Sequence, residues 1–246
     1  PKFDSAAKSF EEGLAVVGIG NKSGDLDKTG KIVIPLTFEA AYGFSEGLAR
    51  VMLDNCKFGY IDKTGKIVID AKFDIASDFK DGFAVVQLNG KKGFINPKGG
   101  VEIPLKYDDA GLFFEKLAYV KLNDKWGFIN EKGQEIIVPQ YEAVTHFSSG
   151  IAGIEVNGKW GFINSKGEIV IEPKFDFTFG FFEGLATVKV DNKYGFIDKS
   201  GKFVIGPVFD DAYFFAEGLA GCKKNDKWGF INKDGHWVIE PRFDGL

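Results

Sequence analysis

The chain has 246 residues, of which 44% are hydrophobic and 15% aromatic, with 31 basic against 35 acidic side chains and a formal net charge of -4. That apolar fraction excludes wholesale disorder, and the acidic balance argues against a nucleic-acid binder, which needs a basic face. No apolar stretch approaches the roughly 20 residues of a membrane helix, and a start at Pro1-Lys2-Phe3, without Met or leader, reads as a trimmed or processed terminus.

The chain repeats. Gly24, Gly59, Gly93, Gly127, Gly161, Gly195 and Gly229 recur at almost constant spacing, each followed six residues later by a second glycine, Gly30 through Gly235. An aromatic residue closes each unit, from Phe38 and Phe73 to Phe209 and Phe243, with Asp or Glu after it. Seven units of about 34 residues therefore tile 1–246 as a single repeat domain. Each unit reads as a three-stranded antiparallel meander, clearest in the sixth: Leu185–Val190, then Lys193–Ile197, then residues 202–205, joined by short polar turns whose glycines accept positive φ. No segment has the sustained period or the caps of a helix.

In chain order, the first unit departs furthest, with Ser23 and Asp25 where later units carry aromatics, the polar drift of a terminal cap. Phe58 and Lys92 occupy the position before the glycine in the second and third units, and Trp126 and Trp160 in the fourth and fifth. Lys116 replaces the turn glycine found in the other six units, which demands a different or a strained backbone there. In the fifth unit Ile169, Val170 and Ile171 place large side chains on both strand faces, so each sheet needs cover on both sides. An open, curved β-array supplies that cover, and a seven-bladed β-propeller is the alternative; the cap-like first unit favours the open form.

The segments Lys125-Trp126-Gly127-Phe128-Ile129-Asn130, Lys159-Trp160-Gly161-Phe162-Ile163-Asn164 and Lys227-Trp228-Gly229-Phe230-Ile231-Asn232 resemble the bacterial WG, or KWG, repeats. The resemblance covers the whole chain. It implies a β-rich repeat module, brings no catalytic motif, and leans towards an exported or cell-surface bacterial protein while leaving localisation open.

A residue type present in every unit is better explained by the fold than by local chemistry. The carboxylates after each closing aromatic, Asp4 and Glu39 to Asp244, are read as acceptors for turn N–H groups rather than calcium ligands. The W-G-F rings are read as packing between units, and the glycine between them as a close approach of backbone. His146 and His236 fall in different phases, Cys222 takes a buried valine slot, and Cys56 sits in a polar link. No metal site, cofactor site or catalytic relay is expected, and the protein is read as a non-enzyme.

Function is sought instead in the connectors between the closing aromatic and the E-G turn, which grow more aromatic along the chain. Phe114, Phe179, Phe182, Tyr213 and Phe214 are expected to form an apolar strip along one edge, with Trp237, which replaces Ile or Val in the last unit, as a further exposed ring. A protein partner is the leading expectation and a carbohydrate or cell-wall ligand the alternative; nucleic acid and membrane insertion are not expected.

Overall fold

The protein is described by a computed structural model covering residues 3–246; Pro1 and Lys2, on which the reading of a processed terminus rests, lie outside the described residues. Those residues form 28 strands and no helix. They divide into two compact units, one ending at Phe113 and the other running from Phe114 to Leu246.

The first unit holds three sheets: β1 (Ser5–Ala6), β2 (Leu14–Ile19), β3 (Lys22–Asp27) and β4 (Ile32–Phe38); β5 (Ala40–Ala41), β6 (Leu48–Met52), β7 (Phe58–Asp62) and β8 (Ile67–Phe73); β9 (Ile75–Ala76), β10 (Ala84–Leu88), β11 (Lys91–Ile95) and β12 (Val101–Tyr107), with β13 (Asp109–Ala110) after them. The second holds β14 (Leu117–Leu122), β15 (Lys125–Asn130) and β16 (Glu135–Tyr141); β17 (Ala143–Val144), β18 (Ile151–Val156), β19 (Lys159–Asn164) and β20 (Ile169–Phe175); β21 (Phe177–Phe182), β22 (Leu185–Val190), β23 (Lys193–Ile197) and β24 (Phe203–Phe209); β25 (Asp211–Ala212), β26 (Leu219–Lys224), β27 (Lys227–Asn232) and β28 (Trp237–Phe243). The seven antiparallel sheets follow one another in repeat order, each a linear meander that does not close into a barrel.

The three predicted strands are present in every repeat, and the structure adds a short fourth. Residues just after the closing aromatic run back along the first long strand, as in Ala76 opposite Val86. Two residues are too few to show an alternation in sequence. Only in repeat six does this strand lengthen, to the six residues of β21.

The motif glycine is fixed by backbone crowding. Trp160 pairs with Phe175 and Phe162 with Ile171, so the third strand bulges opposite Gly161. A Cβ on Gly161 would lie 2.6 Å from the Ile171 carbonyl oxygen and the Pro173 nitrogen, and equivalent backbone atoms crowd Gly59, Gly93, Gly127, Gly195 and Gly229. Backbone on a closed ladder cannot yield as a side chain can. Gly161→Ala is expected to lower stability by about 1–3 kcal/mol, read as a fall in the urea midpoint.

The core lies between successive sheets. Leu185, Phe196, Ile205 and Phe209 of repeat six pack with Phe215, Ala220, Cys222 and Ile231 of repeat seven, and the same eight positions recur in Leu117, Phe128, Ile137 and Tyr141 with Phe147, Ala152, Ile154 and Ile163. At every junction after the first, where Asp25 stands in its place, the motif aromatic of one repeat meets the connector phenylalanine of the next, with ring centroids 4.8 Å apart for Tyr60–Phe79, 5.0 Å for Phe94–Phe113, 4.7 Å for Phe128–Phe147, 5.0 Å for Phe162–Phe181 and 4.9 Å for Phe196–Phe215. The motif phenylalanines are thus core, as expected. Trp126 and Trp160 are half-buried at its margin.

The E-G turns are two-residue hairpins with positive φ at both positions, such as Glu183 at 49° and Gly184 at 90°. This is the backbone of a type I′ turn. Lys116 adopts it too, with φ 66°, so repeat four keeps the common turn and bears the strain. Lys116→Gly is expected to raise stability by about 1 kcal/mol, visible as a higher melting temperature.

Asp25 departs from the expectation of a solvated cap. It stands where the other repeats carry Tyr60, Phe94, Phe128, Phe162, Phe196 and Phe230, across the ladder from Val16 and Ile34, and is only 1% exposed. Neither carboxyl oxygen has a hydrogen-bond partner among the described residues. Burial alone pushes its pKa up to about 6, from an ordinary 3.8. A raised carboxyl pKa contributes stability that is complete below about pH 4 and is lost as pH climbs through 6. The stability advantage of Asp25→Phe over the parent should therefore grow by about 2 kcal/mol from pH 4 to pH 7, in paired denaturant titrations.

Candidate functional site

All six residues singled out in the sequence lie in the second compact unit. Each connector there delivers one phenylalanine into the core, Phe147, Phe181 or Phe215, each at most 2% exposed. That anchored ring fixes its neighbours in chain to flank the junction, half in solvent. Phe182 follows one anchor, while His146 and Phe214 precede theirs; Phe114 follows the equivalent position in repeat four.

These flanking rings touch in sequence along four repeats. Phe114 lies 4.4 Å from His146 at an interplanar angle of 32°, His146 meets Phe182 edge-on at 5.8 Å, and Phe182 stacks on Phe214 at 4.2 Å and 21°. A branch runs from Phe214 to Phe179 at 6.1 Å, from Phe179 to Tyr213 at 6.5 Å, and from Tyr213 onto Trp228, stacked at 5.1 Å and 14°. Phe177 joins Phe179 to Trp160. Tyr213 and Phe214 are 44% and 38% exposed.

The long strand β21 holds the branch in place. It bulges between Thr178 and Gly180. The buried Thr178 hydroxyl donates to the Thr187 carbonyl at 2.8 Å and accepts the Gly180 N–H at 3.0 Å, and the Thr187 hydroxyl donates to the Tyr213 carbonyl at 3.2 Å. Two buried hydroxyls, both satisfied, thereby set the backbone under Phe179 and Tyr213. Beyond Phe214 the surface opens into an apolar cleft of about 400 Å³ lined by Tyr213, Phe214, Ala216, Glu217, Leu219, Gly221, Phe230 and Leu246.

The structure thus brings five of the six predicted residues into one network and separates the sixth. Trp237 is half-buried, its ring edge-on to Phe209 at 5.7 Å, and lines a polar cleft of about 320 Å³ with Lys224, Asn225, Lys227, Glu240 and Pro241. His146 is the member that sequence reasoning missed. Its nitrogens invite only the question of a metal site or a catalytic relay, whereas its ring occupies the phase of Phe214 two repeats earlier.

The periodic carboxylates are bound into the fold. Asp176 accepts the Asp191 N–H at 3.0 Å and pairs with Lys159 at 2.5 Å; Asp210 does the same with Asn225 and Lys193. The lysine hydrogen bond is the main cause holding both carboxyls below their usual range. The turn glutamates reach forward instead: Glu183 accepts the Gly218 N–H at 3.0 Å and Glu115 those of Ser149 and Gly150 at 2.6 and 2.8 Å. Among the described residues, no three His, Cys, Asp or Glu side chains converge to hold a metal ion. Cys222 is buried, which raises its thiol pKa, and Cys56 is exposed.

Stacked antiparallel sheets, periodic ion pairs and a connector edge of rings define an all-β tandem-repeat protein. The chain belongs to the family of WG containing repeats, whose model matches residues 1–22, 26–55, 58–91, 93–126, 126–160, 160–194, 194–228 and 228–246. The matches number eight against seven sheets because most of the family's units begin at or beside the residue before the motif glycine, inside a sheet. No curated protein matches the chain. Among solved structures, it is similar to a eukaryotic initiation factor (TM-score 0.63, 9% identity, 96% of this chain and 76% of that one). It is also similar to the computationally designed Ika8 protein (0.54, 12%, 97% and 86%) and to Hsv2p of Kluyveromyces lactis (0.50, 9%, 100% and 100%). At such identities the likeness is one of fold.

Proposed function

We propose that the chain is a non-enzymatic β-repeat scaffold that binds a protein partner through the connector edge of repeats four to seven. The observation that carries this reading is the connected row of half-exposed rings from Phe114 to Phe214, with Phe179 and Tyr213 beside it. Fixed aromatic rings at a margin of polar groups are the anchors from which protein interfaces draw most of their binding energy. Ring geometry favours protein over sugar here. Phe182 and Phe214 face each other, as do Tyr213 and Trp228, so these faces are taken and mainly edges are offered. A carbohydrate fits better at Trp237, beside Lys224, Asn225 and Glu240, and stands as the second reading.

The test compares the intact chain with a folded Phe179→Ser, Phe182→Ser, Phe214→Ser variant in affinity capture from the source organism. Proteins held by the intact chain are expected to bind the variant at least about 30-fold more weakly, as loss of a hot spot implies. Equal retention by the variant, or release by simple sugars, would overturn the protein-binding reading.

A further inference from the structure

Most E-G turns use their acid to clasp the next repeat, and two junctions show the clasp with a lysine added. Between repeats one and two, Glu12 accepts the Gly47 N–H at 3.2 Å and pairs with Lys63 at 2.9 Å. Between repeats six and seven, Glu183 accepts the Gly218 N–H at 3.0 Å and pairs with Lys233 at 3.0 Å, while the same ammonium donates to the Glu183 carbonyl at 2.9 Å. The lysine hydrogen bond is the main cause holding both carboxyls below their usual range, so the place favours an anion over a neutral group.

Repeats five and six keep every part of this clasp except the acid. Ser149 stands where the other six repeats carry Glu or Asp, and its φ of 57° is the left-handed value common to that position. Lys199 occupies the place of Lys233 and donates to the Ser149 carbonyl at 2.9 Å, the contact that Lys233 makes with Glu183. Gly184 has the turn backbone of Gly218, with φ 90° against 80°. Among the described residues no side chain accepts the Gly184 N–H and no carboxylate pairs with Lys199. Ser149, Gly184 and Lys199 are all exposed. An ammonium and a turn N–H are thus set for a negative group on residue 149, which carries a hydroxyl.

We infer that Ser149 is a phosphorylation site, and that its phosphoserine completes the clasp between repeats five and six. The reach is right, because a phosphorus on Oγ stands as many bonds from Cα as the carboxyl carbon of glutamate does. The phosphate brings a charge of about -1.5 to -2 at pH 7, more than a carboxylate, to the same lysine and N–H. In the modification Oγ bonds to the γ-phosphorus of a nucleoside triphosphate and the bond from that phosphorus to its bridging oxygen breaks. The diphosphate leaves with the electron pair, and the hydroxyl proton passes to the catalytic base of a protein kinase. Glu115, which holds the Ser149 N–H at 2.6 Å, is no obstacle: Glu46 carries its own carboxyl forward to Gly82 from a turn that Glu12 holds in the same way. His146 and Phe182, whose rings touch, lie within three residues of Ser149 and Gly184, so the added link braces the connector edge at its middle. The inference rests on the clasp and not on what binds that edge, so either reading can fail alone.

The test has two parts. The chain isolated from the source organism, and the parent chain incubated with that organism's extract and ATP, are mapped by mass spectrometry beside Ser149→Ala. A phosphoryl group on Ser149 is expected in either sample, and none on this turn in Ser149→Ala. Phosphoserine placed at 149 during translation is then compared with the parent by amide exchange. Protection of the Gly184 N–H is expected to rise at least about tenfold, Lys199→Met to remove most of that gain, and Ser149→Glu to reproduce part of it. No phosphate on Ser149 in both samples, phosphate on Ser148 alone, or exchange at Gly184 unchanged by phosphoserine would each overturn the inference.

Discussion

Everything in this molecule depends on one contact, the aromatic ring of one repeat lying against the connector phenylalanine of the next. A sheet of three long strands and a two-residue fourth cannot bury a core by itself. Stacked on a neighbour it can, and the near-constant ring separation shows that one solution has been used at every junction but the first, where Asp25 replaces the motif ring. The crowded glycine belongs to the same solution. By letting the third strand bulge over the second, it brings the isoleucine and the closing aromatic of that strand onto the junction beside the motif ring.

That requirement divides the residues into two sets. Those at the junction, and the carboxylates that tie turns together, are committed to structure in every repeat and are poorly placed to recognise anything. The connector is different because only its central phenylalanine is committed. The residues on either side are held firmly by that anchor yet meet solvent, which makes them rigid without making them buried. Variation in sequence at such positions changes the surface while leaving the scaffold intact.

The parts of the fold that recur were legible from residues alone: seven units, the long strands, the structural meaning of the motif glycine, the acceptor role of the acidic residues and the burial of Cys222. Recurrence supplies that legibility, because seven copies average out local accident. What was not legible is what happens once. The two-residue outer strands lie below the length at which alternation can be seen. Asp25 reads as polar and therefore as solvent-facing, yet it takes the ladder position of the motif aromatics, between Val16 and Ile34, and is buried there. Lys116 signals a strained turn, but only the backbone shows that the shared conformation won. His146 was hidden because an imidazole was considered for its nitrogens, not as a flat ring among others.

The placement of rings gives the connector edge a longer period than the backbone beneath it. Phe114 and Phe182 follow their anchor position whereas His146 and Phe214 precede theirs, so the backbone recurs with every repeat but the ring pattern recurs only with every second one. Shifted by one repeat, the order of ring and anchor is reversed; shifted by two, Phe114 falls on Phe182 and His146 on Phe214, so the placement returns while the chemistry of the second ring does not. The edge thus carries a period of two repeats on a scaffold whose own period is one, and among the described residues no two registers along it match in both placement and chemistry.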